Sequence, residues 1–162
     1  MTDYDIVGKS KPIGSKPTGR IQKYYIKDNF LKFWFRFVYK YRSAIENNNF
    51  QYIKKRLSDS LSSYSGPILE KLYHEIYRES GKYTEIGNYW EKGNQNEIDL
   101  VCIDEINKKL VIGEIKMKKE KINMDNLRKK SKNLIKNYKE YKVKEIGLGL
   151  SDIDKVLENE YL

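Results

Sequence analysis

Two carboxylates and one ammonium group lie in two short apolar runs of the chain. Asp99 lies at the start of the run 98–103, and Glu114 and Lys116 lie two positions apart in the run 110–117. Side chains two positions apart on a β-strand point to the same face, so Glu114 and Lys116 would stand side by side. Charge is costly in an apolar sheet, so this arrangement indicates a function. A divalent cation is a suitable partner for two neighbouring carboxylates.

The candidate ligands define the chemistry that such a cation would support. Asp99 and Glu114 supply the hard oxygen atoms that Mg²⁺ prefers, and Mn²⁺ binds the same groups. The backbone carbonyl of Ile115 is a further candidate ligand, and Glu70, at the edge of the apolar face of a predicted helix, would bind directly or through water. Lys116 would orient or deprotonate an attacking water or stabilise the transition state. The predicted reaction is metal-dependent hydrolysis of a phosphodiester bond.

An ordinary salt bridge is the alternative to a metal site. The pattern Glu-x-Lys is weak in a chain of which 34% is charged. It occurs again from Glu140 to Lys142, without an apolar strand pattern or a partner acid on a preceding strand. At the first copy, Lys116 paired with Asp99 or Glu114 on a water-facing sheet would explain the same residues. The two interpretations differ in geometry, because only a metal site requires the acids to converge.

The runs that carry these residues belong to the pattern of an α/β core. Strands are predicted over 83–90, 98–103, 110–117 and 143–150, with a basic helix over 123–141. A helix ending near Glu79 precedes the first strand, so the predicted order is helix, three strands, helix, strand and a short helix. The chain length of 162 residues suits one such domain with an appendage.

Glycine and proline residues mark the boundaries of the predicted segments. Pro12, Gly14, Pro17 and Gly19 predict an irregular, mobile arm, and the sequence Ser-Gly-Pro at 65–67 predicts that one helix ends and another begins. We therefore predict three segments: a mobile arm or linker remnant over 1–22, a helical hairpin over 23–63 and the α/β core over 64–162.

Two N-terminal features resemble sites but have simpler explanations. Gly8–Ser10 mimics the end of a Walker A loop, but Asp3 occupies the position where that loop requires its first glycine. Aromatic residues at helical spacing over 30–41 are compatible with a helix lying at a membrane surface. We favour burial of this stripe, because Leu31 and Phe35 extend the apolar surface to a second side.

The composition favours a polyanionic partner, although a lysine-rich bias explains the same charge. The net charge is +9, which favours nucleic acid, but the lysines are spread along the whole chain. The single cysteine, Cys102, lies in an apolar run and excludes a disulfide framework. No segment has the ~20 apolar residues of a membrane span, and the start lacks an apolar signal core. We expect a cytoplasmic protein without a membrane partner.

At these residues the chain resembles a known superfamily. Glu70, the triplet Glu97-Ile98-Asp99 and the run 113–116 are similar to the motifs of PD-(D/E)XK nucleases, which include Holliday-junction resolvases and restriction endonucleases. More narrowly, YYIKDNFLKFWFRFVYKYR, followed by GPILEKLYHEIY and by 88–90, is similar to the carboxy-terminal domain of archaeal AAA-type ATPases. The resemblance covers about residues 20–160. Ile98 replaces the proline of the superfamily's name, which ligates nothing.

The resemblance implies both a fold and an activity. The fold would be a restriction-endonuclease-like αβββαβ core with the N-terminal helical hairpin before it. The activity would be that of a Mg²⁺-dependent deoxyribonuclease, and structure-specific cleavage and a homodimer stay open. The alternative is a catalytically silent nuclease-fold module for DNA binding or subunit contact, with an archaeal ATPase as partner or parent chain. DNA contacts are expected on the basic helix, which otherwise has an ordinary solvated face, at Lys129, Lys130, Lys132 and Lys136.

Overall fold

A computed structural model describes residues 5–15 and 18–158 of the chain. Two units can be distinguished, the first comprising Met1–Ser10 with Gln22–Ser65 and the second Lys11–Ile21 with Gly66–Leu162. Among the described residues, no helix has the length and apolar character needed to cross a membrane. Asp3 and Pro17, which the sequence analysis used, lie outside the described ranges.

The first unit combines a small sheet with an irregular helix. Strands β1 (Val7–Ser10) and β2 (Lys23–Ile26) pair antiparallel, so the segment predicted to be an irregular arm contains a strand. Helix α1 (Asn29–Phe33) begins after Asp28, whose carboxylate accepts a hydrogen bond from the Leu31 amide. The chain continues as a π-helical turn, a 3-10 turn and helix α2, over Trp34–Val38, Tyr39–Tyr41 and Arg42–Glu46 respectively.

Only part of the aromatic stripe is buried. Phe33 and Phe37 contact Tyr64, with ring centroids 6.0 and 5.5 Å apart, and the Tyr64 hydroxyl donates a hydrogen bond to the carbonyl of Asn29. Other rings of the stripe, such as Phe30 and Trp34, are exposed. The prediction that the stripe is core is therefore wrong for these rings, because helical spacing reveals a stripe but not the elements that cover it.

Helix α3 runs without interruption from Phe50 to Glu79. The break predicted at Ser-Gly-Pro is therefore wrong, although Pro67, inside the helix, lacks the N–H that would bond the carbonyl of Ser63. Burial of the following apolar face outweighs this local signal. The side chains buried from α3 are Leu69, Tyr73, Ile76 and Tyr77.

A four-stranded sheet with the order β3, β4, β5, β6 forms the centre of the second unit. The strands are Glu85–Glu91, Gln95–Asp104, Lys109–Lys116 and Lys142–Gly149. β3, β4 and β5 pair antiparallel, whereas β5 and β6 are parallel and are connected through helix α4 (Met124–Lys136). Helix α5 (Ile153–Leu157) follows. The predicted α/β class is confirmed.

Apolar side chains form two cores from alternating positions of the strands. In the first core, residues of β4 and β5 pack with α3 and α5; they include Leu100, Cys102, Val111, Ile115, Tyr73 and Val156. In the second, the intervening strand residues pack with α4; they include Val101, Ile103, Leu110, Ile112, Leu127 and Leu134. By this alternation Glu114 and Lys116 continue the row of Leu110 and Ile112.

A β-bulge interrupts β4 beside Asp99. Gly87 of β3 pairs with Val101, but Tyr89, two residues later, pairs with Ile98, three residues earlier in β4. The extra residue changes the alternation, because Ile98 and Val101 belong to the same core although they are an odd number of positions apart. Bulges re-aim side chains and often lie beside active sites.

Candidate active site

The carboxylates predicted on β4 and β5 meet at one ammonium group. Lys116 Nζ donates a hydrogen bond to Asp99 Oδ2 at 2.9 Å and lies 3.3 Å from Glu114 Oε1. The side chains of Asp99 and Glu114 are only 12% and 8% exposed, whereas that of Lys116 is 37% exposed. The two carboxylates are thus largely buried, whereas the side chain of Lys116 is partly exposed to solvent.

The bulge and its neighbours fix Asp99 in place. Pairing between β4 and β5 extends from Asp104 to Leu100, and at the next residue the carboxylate of Asp99 accepts the backbone N–H of Ile115 at 2.9 Å. The carbonyl oxygen of Asp99 is within hydrogen-bond distance of Asn88 Nδ2 and His74 Nε2, at 2.9 and 2.8 Å. Both the backbone and the side chain of Asp99 are therefore held by specific partners.

His74 contributes to this arrangement as a neutral imidazole. Burial lowers the pKa of His74 more than any other influence, so the ring is uncharged at neutral pH. A carbonyl oxygen can only accept a hydrogen bond. The Nε2 atom of His74 therefore carries the hydrogen and donates a hydrogen bond to the carbonyl oxygen of Asp99.

Glu114 has an oxygen atom without a hydrogen bond. Oε2 is buried and accepts no hydrogen bond from residues 5–15 or 18–158. An unsatisfied buried acceptor costs about 1–3 kcal/mol, more if the group is charged. Such atoms in native proteins require an explanation, for which an ion is one of the ordinary candidates. The donor set of Asp99 and Glu114 fits a hard divalent cation.

The two acids keep Lys116 charged. Burial is the largest single influence on Lys116 and lowers its pKa, but the hydrogen bonds and charges of Asp99 and Glu114 together raise the pKa above its ordinary value. The ammonium form is therefore the one present at neutral pH. This form suits stabilisation of negative charge better than removal of a proton from water.

The other predicted ligands are less closely connected to this cluster. Glu70 is half-buried on α3, one turn before His74. In the described ranges, no three side chains of Asp, Glu, His or Cys form a group that could hold a metal ion, and the role of Glu70 as a third ligand stays a prediction. The backbone N–H of Ile115 donates a hydrogen bond to the carboxylate of Asp99. The group predicted as a ligand was instead the carbonyl of Ile115.

The predicted DNA contacts lie on α4. Leu127, Ser131 and Leu134 form the buried side of this helix. The lysines fall on its other faces, where Lys129, Lys132 and Lys136 are exposed and Lys130 is half-buried. Their arrangement is that of a solvated basic face, and their contact with DNA stays a prediction.

A second carboxylate and lysine pair, which the sequence analysis missed, lies next to the cluster. Lys116 is aligned with Gly149 of β6. The carboxylate of Asp152 accepts hydrogen bonds from the Gly149 N–H at 2.8 Å and from Lys119 Nζ at 2.7 Å, and the Tyr73 hydroxyl donates to the Gly149 carbonyl. An open pocket of about 580 Å³ is lined there by Met117, Lys118, Lys119, Glu120, Leu150 and Ser151.

Sequence signals for the missed residues were weak. His74 is the only histidine of the chain, yet nothing in its spacing indicates the Asp99 carbonyl. Asn88 lies opposite the bulge, which becomes visible only when the pairing of β3 with β4 is known. Asp152 and Lys119 are separated by 33 positions, too far for a pattern within one element.

Comparisons with known proteins identify relatives but no activity. Residues 34–144 match the model of the DUF234 family, described as archaea bacterial proteins of unknown function. An uncharacterized protein of Methanocaldococcus jannaschii, MJECL04, is 28% identical in an alignment of 162 positions that covers 96% of this chain and 34% of that protein. The chain thus spans about a third of the length of this relative. No solved structure matches the chain.

Proposed function

We propose that this chain, which belongs to the DUF234 family, is a metal-dependent DNA endonuclease domain of the PD-(D/E)XK type. The observation that carries the proposal is the Oε2 atom of Glu114, which is buried and accepts no hydrogen bond from the described residues. The ammonium group of Lys116 bridges the carboxylates of Glu114 and Asp99. The order α3, β3, β4, β5, α4, β6 supports the restriction-endonuclease-like core that the resemblance implies.

The residues of the site have distinct roles in this proposal. Asp99 and Glu114 would hold Mg²⁺ or Mn²⁺, which when bound neutralises phosphate charge and activates water. His74, Asn88 and the Ile115 amide orient Asp99 through the contacts described above. Lys116, in its charged form, is positioned to stabilise the negative charge that develops on the phosphate.

DNA is the proposed polyanionic substrate. The excess of basic residues gives the chain a net charge of +9, which favours binding to phosphates. The exposed lysines of α4, Lys129, Lys132 and Lys136, are candidates for backbone contacts, and Lys130 for a contact at their edge. Structure-specific cleavage and a homodimer belong to the same proposal, since junction-cleaving relatives in the resembled superfamily act as dimers.

A catalytically silent module is the second candidate function, and one observation favours it. The ammonium of Lys116 already bridges Asp99 and Glu114, as the salt-bridge alternative expects. In this version the chain binds DNA or contacts another subunit, with an archaeal ATPase as partner or parent. The match to only a third of the relative's length is consistent with a role within a larger protein.

Nicking of supercoiled DNA separates the two candidates. We expect cleavage by the intact chain with Mg²⁺ or Mn²⁺, and a loss of about 10²–10³-fold in Glu114→Gln and in Lys116→Met. Asp152→Asn is the matched control, because it alters a neighbouring buried carboxylate whose two oxygens are satisfied. Cleavage unchanged in Glu114→Gln would exclude the proposed site.

Metal binding provides a readout besides cleavage. Titration with Mn²⁺, followed by calorimetry, should show a site that Glu114→Gln weakens and Asp152→Asn preserves. If the wild-type chain binds DNA in a salt-sensitive way but cleaves with neither metal, the silent module is the correct function.

A further inference from the structure

The first unit has aromatic rings that are exposed to solvent and do not pack in its core. Phe30, Tyr39, Phe35 and Trp34 are 65%, 56%, 50% and 42% exposed. The core role of this stripe is already filled by Phe33 and Phe37, which pack against Tyr64. Clustered apolar rings in contact with water indicate an interaction site.

The exposed rings are organised rather than scattered. Phe30 lies beside Trp34 in a tilted arrangement and Phe35 meets Tyr39 edge to face, with centroid distances of 6.1 and 6.0 Å. The turn that carries Trp34 and Phe35 is π-helical, a rare geometry that occurs frequently at functional sites. The helical segment 30–39 therefore presents pairs of rings on an unusual backbone.

Positive charges are interleaved with these rings. Arg42 lies 5.6 Å from the centroid of Tyr39. Lys32 of α1 lies 5.9 Å from the centroid of Tyr25 of β2, and Lys9 of β1 lies 5.6 Å from that of Tyr24 of β2. Tyr24 and Tyr25 are also exposed. We call the exposed rings of 30–39 and of β2, with the cations beside them, the aromatic–basic surface.

The charge of the whole unit has the same sign as this surface. Its described residues include ten Lys or Arg side chains and four Asp or Glu side chains, an excess of six positive charges. Such a surface complements a polyanion. Protein interfaces have cores depleted in lysine, and a helix at a membrane surface separates its apolar and charged faces, whereas here cations lie over the rings.

We propose that the aromatic–basic surface binds single-stranded nucleic acid. Proteins of this kind combine cations that follow the phosphates with aromatic rings on which unpaired bases stack. Tyr39 and Phe35 offer stacking faces, Arg42 offers a phosphate contact beside Tyr39, and Lys40, over the ring of Tyr41, offers a second. The proposal goes beyond cleavage, because it concerns the first unit and requires no divalent ion.

Affinity for a labelled 20-nucleotide thymidine strand, measured by fluorescence anisotropy with the intact chain in EDTA, tests the proposal. Tyr39→Ala should weaken binding roughly 5- to 150-fold, the range for loss of one stacked base, whereas Tyr39→Phe should retain most of the affinity. Arg42→Gln should reduce the salt dependence by about 0.7 in logarithmic slope. Ile106→Ala, which shortens an 86% exposed side chain elsewhere, is the control.

Tryptophan fluorescence gives a direct view of stacking. Trp34 is 42% exposed and Trp90 only 4%, so an unlabelled strand should quench Trp34, and Trp34→Phe should remove the quenching. Deoxyribose and ribose strands in parallel show which sugar is preferred. Equal affinity for duplex DNA, or unchanged affinity in Tyr39→Ala, would overturn the proposal.

Membrane binding is tested with the same Trp34 fluorescence signal. A blue shift of Trp34 on vesicles rich in phosphatidylserine, without quenching by either strand, would assign the surface to a membrane and overturn the proposal. Glu114→Gln should bind single strands as the wild type does, so failure of the nuclease proposal leaves this result unaffected, and the converse also holds.

Discussion

Two clusters of buried carboxylate and lysine lie at the same end of strands β5 and β6, and they differ in how completely their oxygen atoms are satisfied. Asp152 accepts a hydrogen bond at each oxygen, from Lys119 and from the Gly149 amide. In the neighbouring cluster Lys116 approaches both Asp99 and Glu114, but Glu114 Oε2 accepts no hydrogen bond from the described residues.

The difference separates a structural ion pair from a candidate active site. Where a carboxylate has only to hold the chain, as Asp152 does at the end of β6, the fold supplies a donor for each oxygen. An oxygen left without a donor reduces stability by about 1–3 kcal/mol or more. Functional sites commonly retain such costs when a ligand makes use of them.

Replacing each of the two lysines in a separate variant gives the strongest test of this distinction. Lys116→Met should lower the rate of DNA nicking by about 10²–10³-fold, because the charge facing the phosphate is lost. Lys119→Met should leave the rate within about twofold, although it removes one donor from Asp152. The measurement is nicking under saturating Mn²⁺, with urea unfolding of both variants as a check on folding. Equal losses of activity would mean that the clusters do not differ in function.

Removing the charge of Asp152 should affect stability in a pH-dependent way. Burial is the largest influence and raises the pKa of Asp152, but the bonds from Lys119 and Gly149 lower it below the ordinary value overall. Asp152→Asn should reduce the free energy of unfolding by about 1–3 kcal/mol at neutral pH.

The sign of the pH effect follows from the lowered pKa. The stabilisation is fully present above the unfolded-state pKa of about 3.9 and is lost as the pH falls through the folded-state pKa. Urea unfolding at pH 7, 5 and 3 should therefore show wild type and Asp152→Asn converging at acidic pH. A difference that is constant with pH would mean that the charge of Asp152 contributes nothing.

Removing a partner of Asp99 should change activity more than stability. Asn88→Ala deletes one of the two side chains that bond the Asp99 carbonyl, and displacement of a catalytic group costs up to about 10²-fold. We expect roughly a tenfold lower kcat with little change in KM. Asn133→Ala, which deletes a comparable bond to Glu91 at 3.0 Å, is the control. A loss confined to KM would show that Asn88 acts in substrate binding instead.

The smallest expected effect concerns charge outside both clusters. Lys132→Gln on the exposed face of α4 should weaken DNA binding only a few-fold and reduce the logarithmic salt slope by about 0.9. Binding isotherms at several salt concentrations measure this change. An unaltered slope would show that Lys132 makes no contact with DNA phosphates.

The sequence was sufficient to predict the strands and the proximity of Asp99, Glu114 and Lys116. Alternation along β5 places Glu114 beside Lys116, and a short connection makes β4 and β5 antiparallel neighbours. The existence of these elements therefore follows from local pattern. The bulge does not, because one extra residue in β4 becomes visible only against the pairing of β3.

Other errors arose where tertiary contacts outweighed local signals. Glycine and proline predicted a break at Ser-Gly-Pro, but burial of residues such as Leu69 and Tyr73 keeps α3 continuous. Helical spacing predicted that Phe30 and Trp34 are buried, but both are exposed, because spacing does not identify a covering element. Glu70 lies on α3 as predicted, and its role as a metal ligand stays a prediction.

The extra residue in β4 also makes the site sensitive to chain length. Loss of a single codon at Leu100 would allow β3 and β4 to pair regularly between Gly87 and Tyr89, because Ile98 and Val101 would then be two positions apart. Asp99 would then lie in the ladder, and its carboxylate would no longer be directed to the Ile115 amide. Among homologous chains, a one-residue gap at this position would therefore mark the loss of the site even where all three charged residues persist.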